Sequence, residues 1–363
     1  MMSINYYRSF LLLAGILMVS ASHAQYFEVD NYEEKHTSGT VYSFPILKLK
    51  ATTAVAQKIN EQLQKQELEA LISPVKKGAF ASIWPDKENP YSGTTEYSYE
   101  IVENNDRFIT ITFNGEGCGA YCEGFYTTYN FDSQTGAQLK ITDLLTAAGK
   151  AFIGQWIACD KNKVINDMIK ELKNRQKSGT ADEKQDAAEA IEMYTNCKSN
   201  GEPSSLEYEK FQLADQKMIL SSERCSNHAR LALDELGEFS YPLPLSNFGL
   251  CFSQQGHQLL NTGLNEMATT RYMKGTINTT IPVSMLLDLP AQGTMTGVYF
   301  YNRVAGILHV NGNRQGNTMS FTESDEKGIS TGRFDLILTG NSLTGKWINL
   351  KTMKEMPVKL TMN

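Results

Sequence analysis

The sequence of 363 residues is sparing with cysteine (six), tryptophan (three) and proline (ten), and it has no large excess of either charge. Six cysteines in a chain this long exclude a disulfide-dense miniprotein, which lives on its bridges rather than on a core. Basic side chains number 34 and acidic ones 40, for a formal charge of −6. Nothing in that balance draws the chain as a whole to nucleic acid or anionic lipid, so no nucleic-acid partner is expected. Beyond the N-terminus no apolar run approaches the ~18 residues of a membrane-spanning helix. There is no His-Glu-x-x-His helix and no phosphate-binding loop. Gly115-x-Gly117-x-x-Ala120 matches a dinucleotide fingerprint only in spacing, because it precedes a strand instead of opening a helix. No cofactor and no metal ion are therefore expected, and no catalytic residue is assigned.

What is present first is an export signal. Arg8 precedes an apolar run from Phe10 to Val19, and Ser22-His23-Ala24 sets small residues at a cleavage site before Gln25. Residues 1–24 read as a cleaved Sec-type signal peptide, and no cysteine at the cut supports a lipid anchor. The mature chain is expected in a bacterial periplasm or outside the cell. In that oxidising compartment Cys118, Cys122, Cys159, Cys197, Cys225 and Cys251 read as disulfide partners. Pairing chain neighbours gives Cys118–Cys122, Cys159–Cys197 and Cys225–Cys251. A zinc site on Cys118 and Cys122 is the lesser reading, since no second ligand pair follows at the right spacing.

The patterning predicts an α+β fold with helices packed on an antiparallel sheet, followed by a small all-β barrel or sandwich. A strand is expected at 38–48 and a helix at 51–72, where Val55, Ile59 and Leu63 share a face. Strands 96–103 and 107–114 join through Asn104-Asn105-Asp106 as a hairpin. A glycine-rich loop (115–124) leads to a strand at 125–132. Asn130-x-Asp132 with Gly136 carries oxygens that suit a calcium loop, but lacks the closing acid and reads as a turn. Helices follow at 149–175 and 185–196, and strand-like segments at 217–221 and 240–251. Residues 253–271 lose periodicity and read as a linker between an α+β domain (25–252) and a β domain (272–363). The β domain shows about eight short alternating segments with turn signals such as Asn311-Gly312-Asn313 and Thr339-Gly340-Asn341.

Candidate sites are few. The mature histidines His36, His228, His257 and His309 stand apart, with no nucleophile signature beside them. Glu116 and Glu123 are one of many acid pairs that could divide acid and base work on a glycan. Tyr299, Tyr301 and Trp347 suit either a core or a stacking platform for sugar or peptide.

Several stretches resemble one envelope family. They are Tyr42-x-Phe44-Pro45-Ile46-Leu47, Val55-Ala56-Gln57-Lys58-Ile59-Asn60, and Tyr129-Asn130-Phe131-Asp132-x-x-Thr135-Gly136 running on to Asp143-Leu144-Leu145. Over about residues 38–250 the chain is similar to the lysozyme-binding ectodomain of RsiV anti-sigma factors, a domain that also precedes PdaC-type peptidoglycan deacetylases. The resemblance implies an α+β domain that binds an envelope partner, a lysozyme-type muramidase or peptidoglycan itself. Relatives carry a Gly-Ala-His step where this chain has Gly119-Ala120-Tyr121, which makes Tyr121 a candidate ligand contact. The expected function is non-catalytic binding; the alternative is a cell-wall or glycan hydrolase working through a carboxylate pair.

Overall fold

A computed structural model describes residues 25–49, 53–69, 78–85, 93–119, 121–199, 202–214 and 216–362. The leader expected at residues 1–24 lies outside the described residues. No helix among them is long and apolar enough to cross a membrane.

The N-terminal unit opens with an antiparallel hairpin, β1 (Glu28–Lys35) and β2 (Val41–Lys48), in which Glu28 pairs with Lys48 and Lys35 with Val41. The composition of β1 (EVDNYEEK) hides it from an apolar-pattern reading; it is a mostly exposed strand held by its partner. Helix α1 (Thr53–Glu67) lays Ala56, Ile59 and Leu63 against the sheet β3 (Gly93–Asn104), β4 (Phe108–Cys118) and β5 (Cys122–Asp132). Phe44, Phe80, Tyr97, Phe113 and Phe131 complete this core. The Glu67 carboxylate accepts hydrogen bonds from the hydroxyls of Tyr97 and Tyr129, clasping the end of α1 to β3 and β5. The 130–136 stretch is a turn: Asp132 Oδ1 accepts from the amides of Gln134 and Thr135 at 2.9 and 2.8 Å, and Gly136 has φ +63°.

A second layer is helical. The one-turn α2 (Ile141–Leu144) leads into α3 (Ala147–Ser178), capped by Thr146 Oγ1 accepting from Gly149 N at 2.9 Å. The polar break expected at 176–184 shrinks to two residues. Thr180 and Glu183 form a capping box that starts α4 (Ala181–Cys197) at once. A three-stranded sheet, β6 (Lys210–Ala214), β7 (Lys217–Ser222) and β8 (Phe239–Pro244), closes the layer. Of the strand-like 240–251, only the first part is strand; it turns at Pro244 into the short helix α5 (Leu245–Phe248). Within 253–271, the span expected as a linker, Gln254–Leu259 forms a further short helix, α6, with His257 and Leu259 buried.

The C-terminal strands are β9 (Thr270–Ile277), β10 (Ile281–Asp288), β11 (Gln292–Tyr301), β12 (Ile307–Gln315), β13 (Thr318–Ser324), β14 (Ser330–Thr339), β15 (Ser342–Asn349) and β16 (Glu355–Met362). Each pairs antiparallel with the next and β16 closes on β9, so all eight form a barrel without an edge. Met273, Met285, Tyr299, Phe321, Phe334 and Leu343 fill its interior. Its outer wall is apolar on one side, where Tyr272, Leu286 and Phe300 share a core with Phe152 and Phe248 of the helical layer. Trp156 Nε1 donates to the Ala305 carbonyl at 2.8 Å across the same junction. A buried wall residue explains why the alternation in β10 gives way to a nearly continuous buried run.

Candidate binding cleft

The disulfides depart from the chain-neighbour pairing. Cys118–Cys122 forms as expected, but the second bridge is Cys197–Cys225, and Cys159 and Cys251 are free, buried thiols. The expected Cys159–Cys197 and Cys225–Cys251 bridges fail because the last residue of α4 meets the loop after β7. Cys159 instead faces inward from the middle of α3, where it accepts from Gln155 Nε2. Cys251 is shut beneath the first turn of α3. Burial pushes both thiols above their ordinary range, which makes them poor nucleophiles. The Cys118–Cys122 bond also takes both sulfurs from the zinc reading, although Glu116, Cys118 and Cys122 have donor atoms within 4.8 Å of one another.

The stacking platform suggested for the β domain is corrected too. Tyr299 and Trp347 point into the barrel and are almost wholly buried. They converge there on a side chain that sequence reasoning passed over. Glu323, 2% exposed, accepts from Trp347 Nε1 at 2.8 Å, from Thr331 Oγ1 at 2.6 Å and from the Tyr299 hydroxyl. Tyr301, half-buried, bonds the Tyr299 hydroxyl at 3.3 Å. Gly332 makes room for the pair: a methyl there would press on the Trp347 indole and the Glu323 carboxyl. Burial, and then the charge of Glu323, raise the Tyr299 phenol well above its ordinary range. This is a satisfied core network. Next to it, Gly328-Ile329-Ser330-Thr331-Gly332 has the spacing of a nucleophile elbow, but it spans the β13–β14 hairpin and no helix follows.

One open cleft among the described residues lies at the tip of the β4–β5 hairpin; another of similar volume is lined by Leu172 and Arg175 of α3, Glu183 of α4 and Glu235 of the loop after β7. The glycine-rich segment expected as a loop is mostly strand: Gly115, Gly117 and Cys118 continue β4, and Cys122, Glu123 and Gly124 begin β5. Gly115 is needed because the Phe125 ring lies across it, and a Cβ there would overlap the ring. Beside the tip runs the loop after β7, tied to α4 through Cys225. Its form is set by Asp234, which accepts from Ser226 N at 2.9 Å, the Tyr194 hydroxyl at 2.9 Å and Gly237 N at 3.1 Å. Each wall of the cleft thus carries its own disulfide.

The walls meet in a charged cluster. Glu123 pairs with Arg224 and with His228, and the Tyr121 ring stacks on the His228 ring at 5.9 Å and 19°. Tyr121 is 68% exposed and so presents its outer face to solvent. The cleft holds about 470 Å³ and is lined further by Phe125, Lys210, Glu223 and Glu238. Lys210, Glu223 and Glu238 also line an adjoining hollow of about 320 Å³ that adds Tyr126 and Glu209, making one groove. The Lys210 ammonium sits 4.2 Å from the centre of the Tyr126 ring. Hydrogen bonding to Arg224 holds the Glu123 carboxyl below the usual carboxylate range, so it is ionised at neutral pH and unsuited to donate a proton. Glu209 differs, because burial pushes its carboxyl up, Lys161 opposes and Glu223 adds to the rise.

The sequence reading names Tyr121, Glu123 and His228 separately and does not name Arg224; the fold brings Arg224 and His228 to Glu123 across about 100 residues of chain. It also missed Asp234. Burial opposes charge on that carboxyl, but the hydrogen bonds from Ser226, Tyr194 and Gly237 outweigh it and lower its pKa below the ordinary 3.8. A depressed carboxylate gives stability that is complete above its unfolded pKa and is lost as pH falls through its folded one. Thermal unfolding between about pH 5 and 2 is therefore expected to show a loss of stability that Asp234→Asn largely abolishes, with a lower melting temperature for the variant at pH 7.

No family model matches the sequence, and no curated protein matches it. Among solved structures the chain is similar to a member of the DUF3298 family from Bacteroides fragilis, with 12% identity and a TM-score of 0.36 over 65% of this chain and 96% of that one. It is also similar to a DUF3298 family protein from Pseudomonas aeruginosa PAO1, with 12% identity and a TM-score of 0.38 over 64% of this chain and 95% of that one.

Proposed function

We propose that the chain is a non-catalytic, exported binding protein that receives a secreted or cell-wall partner in the groove between the β4–β5 hairpin and the loop after β7. The observation that carries this reading is the exposed Tyr121 ring, stacked on His228 at a rim that two disulfides hold in place. An aromatic face fixed in advance costs little entropy on binding, and the groove beside it offers both charge signs to a polar ligand. The resemblance to the RsiV-type ectodomain supports a lysozyme-type muramidase or peptidoglycan as the partner. Its motifs build the sheet and turn that aim the hairpin. Pull-down and calorimetry with a muramidase and with purified sacculi test the reading. Tyr121→Ala and Arg224→Ala are each expected to weaken binding by roughly tenfold or more. Failure of the unaltered chain to bind either partner removes the proposal.

One observation favours the hydrolase alternative. Glu209, whose carboxyl burial raises, shares a hollow with Glu223 and Glu238, and carboxyl groups gathered in one hollow can divide acid and base roles. That reading predicts glycan release from sacculi by the purified chain, abolished in Glu209→Gln; intact sacculi after prolonged incubation dismiss it.

A further inference from the structure

The barrel has two unlike ends. Because its strands alternate in direction, the turns after β10, β12 and β14 lie at one end and those after β9, β11, β13 and β15 at the other. The first end carries polar tips such as Gln315-Gly316-Asn317 and Thr339-Gly340-Asn341. The second end has one polar tip, Asn278-Thr279-Thr280, but its other turns carry the exposed apolar side chains Val304, Ile329, Leu350 and Met353, at 56, 58, 38 and 68% exposure. Leu350 N donates to the Thr331 carbonyl at 3.2 Å, extending the β14–β15 ladder by one step, so the turn after β15 begins beside the start of β14. Large apolar side chains at turn tips gain nothing in water; Ile329, Leu350 and Met353 stand exposed on the turns after β13 and β15, while Val304 lies on the turn whose Ala305 packs against the helical layer.

The same turns carry basic residues beside the apolar ones. Arg303 precedes Val304, Lys327 lies two before Ile329, and Lys351 and Lys354 flank Met353 within Leu350–Lys354. All four are exposed, and no ion pair engages them among the described residues. Against these four stand Asp325 and Glu326, a local balance of 4 − 2 = +2 in a chain whose total is −6. Asp325 is turned inward to accept from Lys327 N and Ile329 N at 3.0 and 2.9 Å.

We infer that this end of the barrel docks on an anionic phospholipid bilayer. The apolar tips enter the interface and the flanking Lys and Arg side chains stay at headgroup level. Apolar tips alone suit any hydrophobic partner; cations set one to three residues from them suit a surface whose apolar layer lies directly beneath fixed negative charge. The groove at the β4–β5 hairpin belongs to a different part of the chain, so membrane docking and partner binding fail or hold separately.

Residues 25–363, which contain every described element, are tested by co-sedimentation with vesicles of phosphatidylglycerol and phosphatidylcholine in equal parts, and with phosphatidylcholine alone. Binding is expected to the first, weaker to the second, and to fall as salt rises. Ile329→Ser with Met353→Ser is expected to lower vesicle partitioning by roughly tenfold or more. Lys351→Glu with Lys354→Glu should remove the preference for phosphatidylglycerol. Ile337→Ser, on the outer wall of β14 and equally exposed, should change nothing. No binding to either vesicle overturns the inference. So does a protein dimer, seen without lipid, that the Ile329/Met353 variant disperses while vesicles leave the unaltered chain in solution.

Discussion

Replacing Glu323 by alanine is expected to destabilise the chain by about 3–5 kcal/mol, the largest effect of any single side-chain truncation considered for the barrel. The carboxylate accepts from three donors inside the barrel: Trp347 Nε1, Thr331 Oγ1 and the Tyr299 hydroxyl. Its removal strands the buried Trp347 indole N–H and leaves the Tyr299 hydroxyl only its 3.3 Å bond to Tyr301, and an unsatisfied buried group costs about 1–3 kcal/mol. The cavity left beside Gly332 adds to the loss. Glu323→Gln keeps one acceptor oxygen and the volume, and should cost about half as much. Denaturant unfolding followed by tryptophan fluorescence reads this directly, because Trp347 lies in the network. If Glu323→Ala melts with the unaltered chain, the carboxylate does not organise the barrel.

Gly149→Ala is expected to cost about 2–4 kcal/mol, although a helix interior ordinarily favours alanine over glycine. Gly149 lies in the first turn of α3, and a methyl there would sit under 3.0 Å from the backbone O, Cα and C of Cys251. Backbone atoms cannot rotate aside as a side chain can. The Cys251 carbonyl also accepts from Thr146 N at 2.9 Å, and Ser253 N donates to Leu144 O at 2.9 Å, so the strand of contacts on both sides moves with it. Cys251 anchors the segment leading to α6 beneath the long helix, which makes this a closure point between the two ends of the helical layer. Thermal melting of the variant should fall by several degrees. A variant as stable as the parent would show that the two segments separate freely.

Much of the fold could be read from the sequence, for physical reasons that also explain the misses. Several barrel strands alternate and are broken by Gly and Asn turns, and each predicted segment falls within a few residues of an observed strand. β1 and β6 were invisible because each is short or polar and owes its order to a partner strand. The 115–124 segment read as a loop because glycine signals freedom locally; here it signals the close approach of the Phe125 ring, which only the fold reveals. The cysteine pairing failed in the same way. Sequence proximity stood in for spatial proximity, and the end of α4 and the loop after β7 met instead. Tyr121, Arg224, His228 and Asp234 carry no local signal of a shared site and come together only when the two walls meet.

The central claim is that this chain grips a partner at the disulfide-pinned groove. Amide hydrogen exchange on residues 25–363, alone and with a muramidase or with solubilised peptidoglycan, tests it most directly. The account predicts slowed exchange in residues 117–125 and 223–228, lost in Arg224→Ala. Unchanged exchange in both segments with each candidate, or protection confined to other surfaces, would contradict it.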